Sequence, residues 1–76
     1  MTTSYNYSKL LGRIVEICGS QTEFARRVGL SQHSVSCKLN NKVSFKQDEI
    51  EDSIRVLGIE RESIPVYFFD DNVQRD

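Results

Sequence analysis

The sequence has few of the residues that supply catalytic chemistry or crosslinks. It contains no tryptophan, one proline, one histidine and two cysteines in 76 residues. Cys18 and Cys37 are too few and too far apart for a disulfide framework or a zinc knuckle. His33 has no carboxylate at a spacing that would orient it. We therefore expect a protein that is not an enzyme and that uses no cofactor.

Long apolar runs are also missing. No stretch approaches the run of about 18 apolar residues that a membrane-spanning helix needs, and the first residues, MTTSYNYS, lack the charged and apolar regions of a signal peptide. We expect a cytoplasmic protein with no membrane partner. A chain of this length forms one domain with a small core and no deep cleft, so we expect no small-molecule substrate.

Metal ligands are scarce as well. His33 and Cys37 are separated by four positions, which places two possible ligands on one face of a helix. A closed structural zinc site needs four ligands, and the sequence offers these two. We predict no metal site.

Two short helices hinged at one glycine are predicted over residues 21–40. Ser20 and Glu23 have the spacing of a capping box that starts the first helix, and Gly29 supplies the left-handed residue that ends it. Ser31 opens the second helix. The apolar residues of both helices share one side, namely Phe24, Ala25, Val28, Val35 and Leu39. The segment has the form of a helix-turn-helix with one buried and one exposed side.

Three further helical segments flank this motif. A first helix is predicted from its N-cap Ser8 to its stop Gly19, and a later one from its N-cap Ser44 to Gly58. Pro65 interrupts the tail, so we expect a short turn over residues 61–64 and another over 65–69. The apolar stripe of the first helix consists of Leu10, Leu11, Ile14, Val15, Ile17 and Cys18.

These elements predict an all-α fold, a compact bundle of four to five helices that contains a helix-turn-helix, as in lambda-repressor-like DNA-binding domains. The domain spans residues 8–69, with its motif at 21–40. Residues 1–7 are expected to be a loose N-terminal segment, of which Tyr5 and Tyr7 are the residues able to pack back on the bundle, and residues 70–76 a frayed acidic tail.

Charge is divided unevenly along the chain. Residues 1–46 hold seven basic and two acidic residues, a net charge of +5, whereas residues 47–76 hold three basic and nine acidic residues, a net charge of −6. DNA would repel the acidic half. That half therefore either keeps the protein soluble or binds a basic partner.

The exposed side of the second motif helix carries side chains suited to DNA. The candidates for reading base edges in a major groove are Gln32, His33, Ser36 and Cys37. The candidates for phosphate contacts lie at the helix start, on its flanks and in the following loop, namely Ser20, Gln21, Arg26, Lys38, Asn40, Lys42 and Lys46.

A dense aromatic group ends the predicted domain. A short terminal segment cannot easily bury three aromatic rings. Either they close the bundle against the first helix, or at least one remains exposed as an anchor for a partner. The candidate interface residues are Tyr67, Phe68, Phe69, Asp70 and Asp71. The sequence leaves open whether the aromatic side chains belong to the core or to an interface.

The motif carries a family resemblance. The order of Gln21, Ala25, Gly29, Val35 and Asn40, with three, three, five and four residues between them, resembles the helix-turn-helix of phage repressors and Cro. Residues 7–69 are similar to a small family of helix-turn-helix proteins from temperate phages of lactic-acid bacteria, the antirepressors called modulators of repression.

The resemblance implies a partner and a function. It implies a protein that binds the N-terminal DNA-binding domain of the main phage repressor and removes it from its operators, which favours the lytic state. Operator DNA would be a possible second partner, bound weakly or cooperatively. The alternatives are a Cro-like repressor that binds operators directly as a homodimer, and a toxin–antitoxin or other host regulator of the same fold.

Overall fold

The computed structural model of the protein describes residues 4–71, and their regular secondary structure is entirely helical. In chain order the elements are α1 (Ser8–Cys18), α2 (Gln21–Val28), α3 (Gln32–Leu39), α4 (Gln47–Leu57), a single 3₁₀ turn (Arg61–Ser63) and α5 (Ile64–Phe68). The described chain has no strand. The prediction of a small all-α bundle of four to five helices is confirmed. No helix within residues 4–71 has the length and apolar character needed to cross a membrane.

The α2–α3 pair forms as its sequence signals predict. Ser20 Oγ accepts a hydrogen bond from the Glu23 N–H at 3.1 Å, which satisfies one of the free donors at the start of α2. Gly29 ends α2 with φ 77°, a left-handed conformation that costs glycine little. Ser31 Oγ then accepts the N–H of Ser34 at 3.0 Å and begins α3.

Two helices begin differently from the prediction. Ser8 was expected to cap α1, but it is the first helical residue, and Asn6 Oδ1 accepts its N–H at 2.9 Å. Ser44 was expected to cap α4, but that helix begins at Gln47. The carboxylate of Glu49, in the first turn of α4, accepts the N–H of Lys46, the residue just before the helix, at 2.8 Å. This hydrogen bond stabilises the start of the helix.

The N-terminal segment is fixed to the domain. The Tyr5 N–H donates to Asn41 Oδ1 at 2.8 Å, and Asn41 Nδ2 donates to the Tyr5 carbonyl at 3.0 Å. The Asn6 N–H donates to the Asp70 carbonyl at 2.6 Å, and Tyr7 is buried. The expectation of a loose segment is therefore wrong for residues 4–7, because backbone groups and a side chain from distant parts of the chain bind it. Residues 1–3 lie outside the described residues.

Helix α2 is the centre of the bundle. It packs against α1, α3 and α4, and its Phe24 is fully buried. The other fully enclosed core side chains come from the surrounding helices: Leu10, Ile14, Val35, Leu57 and Phe68. Helix α3 packs against α2 and buries Val35 in the core. The opposite face of α3 is exposed to solvent.

Part of the predicted apolar stripe of α1 is not buried. Val15 and Ile17 are 58% and 38% exposed, whereas Leu10 and Ile14 are enclosed. In the tail, Val66 is 45% exposed. The bundle is too small to cover every apolar position of its outer helices.

Candidate functional sites

The exposed face of α3 carries the predicted base-reading residues together. Gln32 and His33 are exposed, and Ser36 and Cys37 are partly exposed. Cys37 Sγ lies 3.5 Å from His33 Nε2. The hydroxyl and amide groups of this face are compatible with hydrogen bonding to base edges.

The predicted phosphate contacts fall into two groups. Lys42 and Lys46 are exposed and form no ion pair within residues 4–71. Three other candidates already serve the local structure or are partly covered. The Ser20 hydroxyl caps α2, Gln21 is partly exposed, and Asn40 Nδ2 donates to the Ser36 carbonyl at 2.7 Å.

Arg26 is exposed but paired. Its guanidinium donates to Glu23, and Arg27 donates to the same carboxylate at 2.8 Å. The hydrogen bond from Arg26, followed by that from Arg27, lowers the pKa of Glu23 to about 2. Glu23 was predicted to turn back and complete the capping box, but it faces these arginines instead. The two positive charges are therefore partly neutralised where α2 would approach phosphate.

Lys38 is an inward-facing residue of α3, in contrast to the predicted phosphate contact. Its side chain is 6% exposed, and Nζ lies 3.0 Å from a carboxylate oxygen of Glu49, which is itself 13% exposed. Nζ also donates to the Ser44 carbonyl at 3.2 Å. A lysine whose ammonium is enclosed in this way is out of reach of DNA phosphate, and the phosphate prediction for Lys38 does not fit its position. The side chain joins α3 to α4.

Two interactions favour the charged form of Glu49. Burial opposes ionisation, but the hydrogen bond from the Lys46 N–H and the ammonium of Lys38 outweigh it, so the pKa of Glu49 lies below its ordinary value of 4.5. The same carboxylate thus starts α4 and neutralises Lys38.

More than half of the cations in the positive half of the chain are held in ion pairs within the fold. Of its seven basic residues, four form ion pairs, namely Arg13 with Glu16, Arg26 and Arg27 with Glu23, and Lys38 with Glu49. Lys9, Lys42 and Lys46 form none with the residues that the structure describes. Glu16 and Glu23 are already counted in the net charge of +5, so only the pair of Lys38 with Glu49 lowers it further, to +4.

The aromatic tail is divided between core and surface. Phe68 is 1% exposed and packs edge-on against Phe45, with ring centroids 5.2 Å apart. Phe69 is 47% exposed and packs edge-on against Tyr5 at 5.6 Å. Tyr67 is partly exposed. Of the predicted interface residues, Phe68 is thus core, and Phe69 offers a ring to solvent.

The acidic end of the tail lies beside this ring. Asp71 is exposed and Asp70 is partly exposed. Because the Asp70 carbonyl accepts the Asn6 N–H, the predicted fraying does not begin at residue 70. Residues 72–76 lie outside the described residues.

Sequence reasoning did not identify the surface that the aromatic residues create with the N-terminal segment. Tyr5, Tyr7, Phe45, Phe68 and Phe69 line a depression of about 180 Å³, which Asn41, Lys42, Val43, Ser44 and Ile50 complete. The signal present in the sequence is the pair Tyr5 and Tyr7 near its start, which can pack back on the bundle but whose partners, Phe69 and Phe45, the sequence does not reveal.

The fold and these surfaces define a class of protein. It is a small all-helical domain that presents a polar helix, α3, on one side and an aromatic surface with acidic neighbours at its chain ends. It contains no group of three or more histidine, cysteine and acidic side chains arranged for a metal ion within residues 4–71.

Comparisons with known proteins place the chain more narrowly. Residues 3–71 match the family described as "Protein of unknown function (DUF739)", and the chain belongs to that family. It is similar to a protein whose solution structure is known, the modulator of repression (MOR) of the temperate bacteriophage TP901-1 from Lactococcus lactis. The two are 49% identical, with a TM-score of 0.79, over 97% of this chain and all of the other.

Two further results bound this placement. No curated protein matched the chain significantly. The matched family has no described function, so membership of the repressor and Cro type of helix-turn-helix proteins stays a prediction.

Proposed function

We propose that this protein is a phage antirepressor, a modulator of repression that binds the N-terminal DNA-binding domain of the main phage repressor and relieves its operator binding. The observation that carries the proposal is the 49% identity to a phage modulator of repression along nearly the whole chain, in the same fold. This function is binding, without catalysis, and it favours the lytic state of the phage.

The charge distribution supports a protein partner over DNA as the main target. Four of the seven cations of the basic half are held in ion pairs, which leaves Lys9, Lys42 and Lys46 as its cations free of ion pairs within residues 4–71 and limits the number of phosphate contacts. The acidic half has a net charge of −6 and complements a basic surface. The DNA-binding domain of a repressor presents such a surface. Binding of operator DNA by α3 itself is then weak or cooperative.

The partner surface that the structure favours surrounds Phe69. An exposed aromatic ring held edge-on by Tyr5 loses little side-chain entropy on binding, which is typical of an interface anchor. Asp70 and Asp71 supply negative charge at its side, and Tyr67 is partly exposed nearby. Phe68 is excluded from this surface because it is enclosed in the core.

The test is the affinity for the repressor's N-terminal domain, measured by calorimetry. Phe69→Ala should weaken binding by about tenfold or more. Asp70→Lys combined with Asp71→Lys should slow association, most strongly at low salt. Gln32→Ala on the polar face of α3 is the matched control and should leave the affinity unchanged. Equal affinities for the wild type and the Phe69→Ala variant would remove this surface from the proposal.

A Cro-like function is the second candidate, and the exposed polar face of α3 with Lys42 and Lys46 beside it favours it. In that case the chain alone, as a homodimer, binds operator DNA with nanomolar affinity. A gel shift without any repressor present decides between the two. A tight shift that Gln32→Ala abolishes supports the Cro-like reading, whereas no shift, or one at micromolar concentrations only, supports the antirepressor.

A further inference from the structure

The backbone of Tyr5 is held by one side chain from the loop that follows α3. Asn41 Oδ1 accepts the Tyr5 N–H at 2.8 Å, and Asn41 Nδ2 donates to the Tyr5 carbonyl at 3.0 Å. An asparagine amide carries both an acceptor and a donor, so it can satisfy both backbone groups of one residue. Residues 4–7, which we call the N-terminal strap, have no regular secondary structure. The amide of Asn41 therefore supplies the hydrogen bonds that a neighbouring strand would give.

The backbone at Asn41 indicates that this residue does more than end a helix. Helices α1, α2 and α4 each end on a glycine with positive φ, namely Gly19, Gly29 and Gly58. In the loop after α3 the left-handed position is held by Asn41, with φ 62°, the one non-glycine residue of positive φ within residues 4–71. Glycine would fit this backbone at least as well, but it has no side chain to hold Tyr5.

The strap contacts both parts of the proposed partner surface. The Tyr5 ring packs edge-on against Phe69, with ring centroids 5.6 Å apart, and the Asn6 N–H donates to the Asp70 carbonyl at 2.6 Å. Tyr5 is itself partly exposed, and it lines the same depression as Asn41 and Phe69. The strap therefore touches the exposed ring and the backbone of the acidic residue that follows it.

The helix before Phe69 gives its ring little support. Helix α5 has five residues and ends at Phe68, so Phe69 lies just outside it, with φ −129°. The Phe69 N–H donates to the Pro65 carbonyl at 3.1 Å, but the ring is exposed. An exposed ring that changes rotamer freely must be fixed when a partner binds, and fixing it costs free energy. Contact with an immobilised Tyr5 lowers this cost.

We propose that Asn41 is a positioning residue of the partner surface: through the backbone of Tyr5 it holds the Tyr5 ring against Phe69, and so preorganises Phe69 for the repressor domain. Asn41 acts on the affinity through these two residues and not through a contact of its own. This inference rests on the proposed antirepressor function. Fixing a side chain in advance changes an affinity by about threefold to tenfold.

A double-mutant cycle between Asn41→Gly and Phe69→Ala tests the proposal, with the affinity for the repressor's N-terminal domain measured by calorimetry. Glycine keeps the positive φ and removes the amide. Asn41→Gly alone should weaken binding by about threefold to tenfold. In the Phe69→Ala background it should change the affinity by less than about twofold. A residue that only stabilises the fold would have the same effect in both backgrounds. Tyr5→Ala, which leaves the loop intact, should reproduce both results.

NMR of the free protein tests the positioning without a partner. Nuclear Overhauser contacts between the rings of Tyr5 and Phe69 should be present in the wild type and lost in Asn41→Gly. Asn40→Ala is the matched control, because the Asn40 amide donates to the Ser36 carbonyl within α3, and it should keep both the ring contacts and the affinity. Circular dichroism checks that each variant is folded.

Two results would overturn this proposal and leave the proposed function standing. One is the persistence of the ring contacts in Asn41→Gly, and the other is a loss of affinity that is equally large with and without the Phe69 ring. An affinity that Phe69→Ala leaves unchanged would instead remove the partner surface itself, and this proposal with it.

Discussion

Lys38 and Lys42 provide a sharp test of how the structure assigns the basic residues. Lys38→Met should remove the partner of a carboxylate that is 13% exposed, and Lys42→Met should remove an exposed ammonium with no ion pair in the described chain. Removing one partner of a buried ion pair costs about 3–5 kcal/mol. Because Glu49 keeps the hydrogen bond from the Lys46 N–H, we expect about 3 kcal/mol for Lys38→Met.

The assay for this prediction is a double-mutant cycle followed by urea and thermal unfolding. Glu49→Gln alone should cost about 2 kcal/mol, and the double variant about 3 kcal/mol, which gives a coupling of about 2 kcal/mol. A loss of 3 kcal/mol lowers the melting temperature of a domain of this size by about 12–24 °C. Lys42→Met should change stability by less than about 0.5 kcal/mol.

The contrary result is equally clear. If Lys38→Met is as harmless as Lys42→Met and its effect adds simply to that of Glu49→Gln, the buried ion pair does not join α3 to α4. Lys38 would then be available to solvent, and its rejection as a phosphate contact would fail with it.

Three further outcomes follow from the fold. Phe68→Ala should cost about 3–5 kcal/mol of unfolding free energy and Phe69→Ala less than about 1 kcal/mol, as thermal unfolding measures. Asn41→Ala should cost about 1–2 kcal/mol and abolish hydrogen-exchange protection at the Tyr5 N–H, which Asn41 Oδ1 accepts. Because the pKa of Glu49 is lowered on folding, its stabilisation is present above pH 4.5 and lost as pH falls through the folded value. The Glu49→Gln variant should show a shallower loss in acid.

The C-terminal ends of the helices were the most predictable part of the molecule. Gly19, Gly29 and Gly58 all adopt positive φ, of 85°, 77° and 65°, so each glycine ends a helix as its position after an apolar stripe predicted. The helix starts were less predictable because several side chains compete for the same donors. The N-cap of α1 is Tyr7, one residue before Ser8, and Asn6 Oδ1 accepts the Ser8 N–H; Ser44 lies too early in the chain to cap α4.

Burial within the candidate sites was not readable from local sequence. Lys38 and Glu49 lie on different helices, and their ion pair depends on how α2 holds α3 and α4 in the bundle, which neither helix's own sequence pattern reveals. Phe68 and Phe69 are neighbours that differ by about 100° around a helix. Helix α5 is too short to show a period, so the sequence could not tell which ring is core.

The sequence predicted which side chains of α3 are exposed better than it predicted which basic side chains are free of ion pairs. Gln32 and His33 are exposed as predicted. The internal pairing of Arg26 with Glu23 follows from their spacing of three residues, and it weakens a contact that composition alone counted as positive.

The measurement that tests the central proposal most directly is an operator gel shift with the main phage repressor, titrated with this protein. An antirepressor should release the repressor from its operator at concentrations near stoichiometric with the repressor, without forming a shifted band of its own. A repressor–operator complex that persists under a large excess of this protein, or that is replaced by a new complex of this protein with the operator, would contradict the account.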